Sequence, residues 1–204
     1  MGRRVANSQN LRDRLAQEAA RLMIEHGIMD YRLAKQKAAA RLGVSERGAL
    51  PSNAEIEHRL NERQRIFDPN GHQSRLAGCR RIAADMMGLF SEFQPRLVGA
   101  VLTGSVTETT PVELHLFTDS PENVALVLEQ HRIPFRDCQR RYRVSVKEST
   151  NYPGYTFSAS DIRVDAIAFP EKALRQAPLS PVDGKPMRRA PERDVLELLE
   201  GSAG

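Results

Sequence analysis

Glu113 and His115 stand two residues apart in PVELHLFT, residues 111–118, where polar and apolar types alternate. A strand of period two turns Val112, Leu114 and Leu116 to one face and Glu113, His115 and Phe117 to the other. A second carboxylate, Asp165, lies in DIRVDAIAFP with apolar residues on both sides, and Arg163 shares its face. One reading of these four residues is a salt-bridged patch on the solvent side of a sheet. A second concentration of charge is RDCQRRYR, residues 136–143, where Arg136, Arg140, Arg141 and Arg143 surround Tyr142. The guanidinium fork suits phosphate, so Arg141 and Arg143 could reach a triphosphate or an RNA backbone. Arginines on an edge strand also serve simply to block aggregation. Lys185, Arg188 and Arg189 open the same two readings, because the Pro-rich QAPLSPVDGKPMRRAP must lie across something. Cys138 has arginine neighbours but no evident base, and Cys79 belongs to an apolar stripe. His26, His58 and His72 have no His or Cys at metal-binding spacing.

The elements that must position these residues change period partway along the chain. Residues 8–26 read as a helix with Leu11, Leu15, Ala19, Leu22 and Met23 on one side, stopped by Gly27. Asp30 can cap a second helix ending near Gly43, and Ser52 or Asn53 a third carrying Ile56 and Leu60. DPNGH reads as a turn, and residues 74–93 as a fourth helix. KAAARLGVSERGAL has the look of a helix-turn-helix turn, which would make residues 30–50 a DNA-binding element. Gly48 and Pro51 argue instead for a glycine-capped helix hairpin. Period two then sets in. Strands are expected at 96–103, 111–118, 133–136, 140–147, 154–159 and 162–169, with short helices at 121–131 and 191–200. The expected fold is α+β: a helical region at 1–70, then an α+β domain at 71–204 with a mixed sheet flanked by helices.

GAVLTGSVTETTPVELHLFTD, together with the strand-borne Asp165, resembles the DNA polymerase beta-like nucleotidyltransferase superfamily. The resemblance covers about residues 75–170. It implies that Gly104 and Ser105 hold a nucleoside triphosphate by their backbone. It implies that Glu113, His115 and Asp165 hold two divalent ions, Mg²⁺ or Mn²⁺, with Glu113 and Asp165 catalytic. Hard divalent ions favour carboxylate oxygens, and two of them stabilise the attacking and leaving oxygens of an in-line displacement. Arg141, Arg143 and Lys185 would then assist in binding the nucleotide. The chain departs from the family in its shorter Ser-to-acid spacing, in a missing loop glycine and in His115, an imidazole where the family has an aspartate. Imidazole suits manganese or zinc better than magnesium. The longer pattern, from AARLMIEHGIMDYRLAKQKAAARLGV to RQAPLSPVDGKPMRRA, looks like a group of short bacterial proteins. They are labelled nucleotidyltransferase or UDP-N-acetylmuramate–alanine ligase. The second label fails here, since no Gly-rich loop ending in Gly-Lys-Ser/Thr is present.

Composition bounds the rest. The 204 residues are 40% apolar and 27% charged, a globular balance, and no apolar run approaches the ~20 residues that span a bilayer. The start MGRRVANSQN does not read as a secretory signal, and two cysteines make no disulfide framework, so the cytoplasm is expected. Residues 1–43 hold 9 basic and 4 acidic side chains, which permits an RNA partner there. Two functions follow from the resemblance. One is metal-dependent transfer of a nucleotidyl group from an NTP to RNA, protein or a small acceptor. The other is a catalytically degenerate relative that binds RNA, nucleotide or a partner protein.

Overall fold

The computed structural model describes residues 2–44 and 50–201, and the fold is α+β. The chain divides into two units. One runs to His72 and includes Thr107–Thr109 and Pro181–Asp183; the other holds the remainder from Gln73.

The first unit is helical: α1 (Gly2–His26), α2 (Tyr31–Arg41) and α3 (Asn53–Phe67). The stripe expected on α1 is its buried face, with Leu15, Ala19, Leu22 and Met23 packed against Ala34 and Ala38 of α2 and Ile56 and Leu60 of α3. Small alanines let the helices approach closely. Asp30 caps α2 by accepting from the Leu33 amide at 2.9 Å. Ser52 and Glu55 cap α3 reciprocally: the Glu55 amide donates to Ser52 Oγ at 3.2 Å, and the Ser52 amide donates to Glu55 Oε2 at 2.7 Å. Arg12 reaches the same carboxylate at 2.7 Å, and that bond is the main reason the Glu55 carboxyl is pulled down to about 2. Residues 45–49, where a recognition helix would begin, lie outside the described residues.

DPNGH is not a free turn. It forms the first turn of α4 (Pro69–Leu89), with Pro69 at the first helical position and Asp68 Oδ1 accepting from the Gly71 amide at 3.0 Å. After α4 come a 3₁₀ turn at Ser91–Phe93 and β1 (Arg96–Val98). The strand expected over 96–103 stops there, and Gly99–Thr103 forms a short helix, α5. Val101 and Leu102 are consecutive and both buried. A strand would send one of them to each face, whereas a helical turn sends both into the core. Next come β2 (Val112–Phe117), α6 (Glu122–Gln130), β3 (Phe135–Arg143), β4 (Ser149–Ala159) and β5 (Ile162–Phe169). The two strands expected at 133–136 and 140–147 are thus one. A 3₁₀ turn at Glu171–Arg175 and α7 (Glu192–Glu200) complete the chain.

The sheet order is β1-β2-β5-β4-β3, with β2 and β5 parallel and the other neighbours antiparallel. One face carries Val112, Leu114, Leu116, Val164, Ala166 and Phe157 into a core shared with Ala83 and Met87 of α4, Leu128 of α6 and Val195 of α7. Much of the opposite face is also buried. Phe117, Ile167 and Phe169 form a second core with Tyr142, joined by Tyr152, Leu174 and Met187. The solvent-side patch is thus only partial: His115 and Asp165 are buried and Glu113 half-buried, whereas Arg163 is exposed. No helix among the described residues is long and apolar enough to cross a membrane.

Two substitutions test this architecture. Ser52→Ala removes one half of the reciprocal cap and should cost the helical unit about 1 kcal/mol, read from urea unfolding. Gly154 lies where β4 meets β5, and a Cβ there would come within 2.6 Å of the Ala166 carbonyl oxygen and 2.7 Å of Ile167 Cδ1. Gly154→Ala should therefore destabilise the sheet unit by about 1–3 kcal/mol in the same measurement.

Candidate functional site

Parallel pairing of β2 and β5 sets Glu113 opposite Asp165 in register, and β4 adds Thr156 opposite Asp165. Glu113, His115 and Asp165 therefore project from neighbouring strands onto the second face. Period two and strand adjacency bring them there.

Two networks share this face. In the first, His115 has no solvent exposure, so both ring nitrogens need partners within the protein. Arg189 Nε donates to His115 Nδ1 at 3.1 Å. A guanidinium can only donate, so Nδ1 is the unprotonated nitrogen and the neutral ring carries its hydrogen on Nε2. Nε2 then donates to the Tyr142 hydroxyl at 3.2 Å, and that hydroxyl donates to Glu113 Oε1. Burial, with the neighbouring Arg189 charge, holds the His115 pKa well below its usual 6.5. Burial raises the Glu113 carboxyl, opposed by the Tyr142 bond and the charge of Arg140. Burial and the Glu113 carboxylate push the Tyr142 phenol up. Arg189 also donates to the Ala173 carbonyl at 2.7 Å and stacks over the rings of Phe117 and Phe169, 4.9 and 5.1 Å from their centroids. Its Nη2 is buried without a partner, and burial lowers its pKa to about 10.

The second network surrounds Asp165, which is 2% exposed. Its Oδ2 accepts from Arg140 and from Arg163 Nη2 at 3.3 Å, and its Oδ1 accepts from Thr156 Oγ1 at 2.9 Å. Burial works against the Arg140 charge, but Glu113 and Asp165 outweigh it and raise that guanidinium's pKa.

Several residues singled out from the sequence lie elsewhere. Gly104 has a left-handed backbone (φ 90°) that ends α5. Its amide and that of Ser105 both donate to the Ala100 carbonyl, at 2.8 and 2.9 Å. The pair thus closes a helix and does not end a strand. Arg141 and Arg143 are exposed and have the parity of Phe135, which packs on the first core; the arginine that meets Asp165 is Arg140. Lys185 is exposed on the late loop, and the residue of that loop reaching His115 is Arg189. Tyr142, Thr156 and Arg189 are the functional-face residues missed as partners. Strand parity could have paired Tyr142 with Arg140, but nothing local marks Arg189 over Arg188. Cys79 is buried in the first core, and Cys138 packs against the second.

The donor set does not fit Mg²⁺ or Mn²⁺. Among the described residues no three His, Cys, Asp or Glu side chains are grouped to hold a metal ion. Both oxygens of Asp165 are engaged, one of them by two guanidiniums that would repel a divalent cation. In the amino-terminal region, Arg12, Arg21 and Arg41 are tied to Glu55, Glu18 and Glu25, so part of the basic excess is neutralised internally. A cavity of about 800 Å³ beside α1 and α3 is lined by Asp13, Glu55, His58 and Arg59, and there Arg59 Nε donates to Asp13 at 2.8 Å. The polar chemistry concentrates on the sheet face.

Comparison with protein-family models, with curated proteins and with solved structures gives no match. The likeness to nucleotidyltransferases rests on this chain's own residues.

His115, fully buried, and Glu113, half-buried, have opposite effects on stability with pH. His115 is held neutral, so its contribution is full above 6.5 and is lost as pH falls through its depressed value. Glu113 is biased toward the acid form, so its contribution is full below 4.5 and is lost as pH rises through its raised value. Between those limits the two oppose each other. Glu113→Gln should leave a steeper loss of thermal stability on acidification, and His115→Gln a loss on alkalinisation. Melting temperatures of the three proteins across this range check both signs.

Proposed function

We propose that the protein is a nucleotidyltransferase-like binding protein whose sheet face takes a phosphate-bearing ligand, a nucleotide or RNA, without two-metal chemistry. The observation that carries the reading is the environment of Asp165. In the family pattern this position is a metal ligand. Here its carboxylate is buried beneath Arg140 and Arg163 and bonded by Thr156. Cationic side chains stand where the pattern calls for ions. His115, the other departure from the pattern, is fully buried between Arg189 and Tyr142, with neither ring nitrogen open to an ion. Glu113 takes the Tyr142 hydroxyl. The competing reading is nucleotidyl transfer from an NTP with Glu113 and Asp165 as metal ligands, which would require both networks to open.

Metal titration and a transfer assay separate the two. Mn²⁺ and Mg²⁺ titrated calorimetrically into the full chain and into Asp165→Ala and His115→Asp should give no heat of binding. Labelled NTPs with either ion and total RNA should give no transfer. Saturable Mn²⁺ binding, or Mn²⁺-dependent labelling, that disappears in Asp165→Ala would establish the catalytic reading instead.

A further inference from the structure

We infer that Arg140 and Arg163, held by Asp165, form a metal-independent seat for a terminal phosphate group, the dianionic end of a nucleotide or other phosphomonoester. The inference rests on the binding reading above and names the ligand group.

The first ground is convergence. Arg140 on β3 and Arg163 on β5 approach the same Oδ2 of Asp165 from either side of β4. The second is layering. The carboxylate is 2% exposed and the two arginine side chains 40% and 47%, so the anion forms the floor and the cations the rim. Each guanidinium bonds Asp165 through Nη2, so Nε and Nη1 of both point their hydrogens elsewhere than the floor. Forks of this kind match the oxygens of a phosphate in paired contacts. The third is charge. With Arg136, in register with Thr156 on the same face, three guanidiniums stand against the two carboxylates of Asp165 and Glu113. The fourth is pre-organisation. The bonds to Asp165 already restrict both long side chains, so a ligand that binds there has less entropy to remove. A terminal phosphate is favoured over a diester because it offers three oxygens and nearly two charges at one point.

The test uses the full-length protein in EDTA at low salt, with AMP, ATP, adenosine and inorganic phosphate as probes. AMP and ATP should bind and adenosine should not, with affinity falling as salt rises. Arg163→Gln should weaken AMP by about tenfold or more, as expected for a lost charge-assisted contact. Arg141→Gln, on the other side of β3, should leave it unchanged. Arg163 is half-exposed, so the variant should retain the wild-type melting temperature within a few degrees; Arg163→Lys, with its charge kept and its fork lost, should bind at an intermediate level. Inorganic phosphate competing as well as AMP would assign the seat to the phosphate group alone, and AMP competing better would add a contribution from the nucleoside. Absence of binding by every phosphate probe, or binding indifferent to Arg163→Gln, would overturn the seat; flat metal titrations would then leave the non-catalytic reading standing. Nucleotide binding that requires Mn²⁺ and vanishes in Asp165→Ala would overturn both.

Discussion

A histidine buried without any solvent contact must satisfy two ring nitrogens inside the protein, and leaving either unpaired costs on the order of 1–3 kcal/mol. His115 meets this requirement with groups distant in sequence. Tyr142 comes from the outermost strand of the sheet, and Arg189 comes from the loop that follows the last one. Tyr142 must lie across the second core to reach Nε2, which brings its hydroxyl to Glu113. Arg189 must come inward over Phe117 and Phe169, which brings its remaining donors to the carbonyls of Ala173 and Leu174. One buried imidazole thus fixes the position of the hairpin and of the Pro-rich segment against the same sheet face.

That arrangement also governs charge. Glu113 and Asp165 share a register position on adjacent strands, and two bare carboxylates so placed would repel. The structure relieves this in two different ways. Asp165 acquires cations, and Glu113 acquires a neutral hydroxyl and a raised pKa. Two acids of similar origin in the sequence pattern end in different chemical roles, one an anchor for guanidiniums and one a hydrogen-bond acceptor. The same logic leaves both oxygens of Asp165 engaged and two guanidiniums beside them.

Much of the fold was legible in the sequence because its signals are local. The α1 stripe, the Asp30 and Ser52 caps and the alternation in β2 each follow from a few neighbouring residues. Where the reading failed, a tertiary demand overrode a local one. Val101 and Leu102 both needed burial, so a residue run with strand propensity made a helical turn. Pro69 and Gly71 looked like a turn, but the carboxylate of Asp68 made them a helix start. Glu113 and His115 could be placed on one face from parity alone, and Asp165 was set beside them by the family resemblance. Their partners could not, since Arg140 rather than Arg141 depends on the placement of a strand two positions from that of Asp165, and Arg189 depends on the path of a loop.

The strand order carries a consequence for how the chain assembles. β3, β4 and β5 form an antiparallel meander from contiguous sequence, whereas β2 gains its inner neighbour only when Ile162–Phe169 is present. During synthesis, β2 emerges with one edge unpaired, and long-range parallel pairing is the slow kind. Glu113 and His115 belong to the early piece; Asp165, Arg140 and Tyr142 belong to the meander. The polar face is therefore created by the docking of two sub-structures, and a chain cut short before β5 would expose a strand edge together with Glu113 and His115.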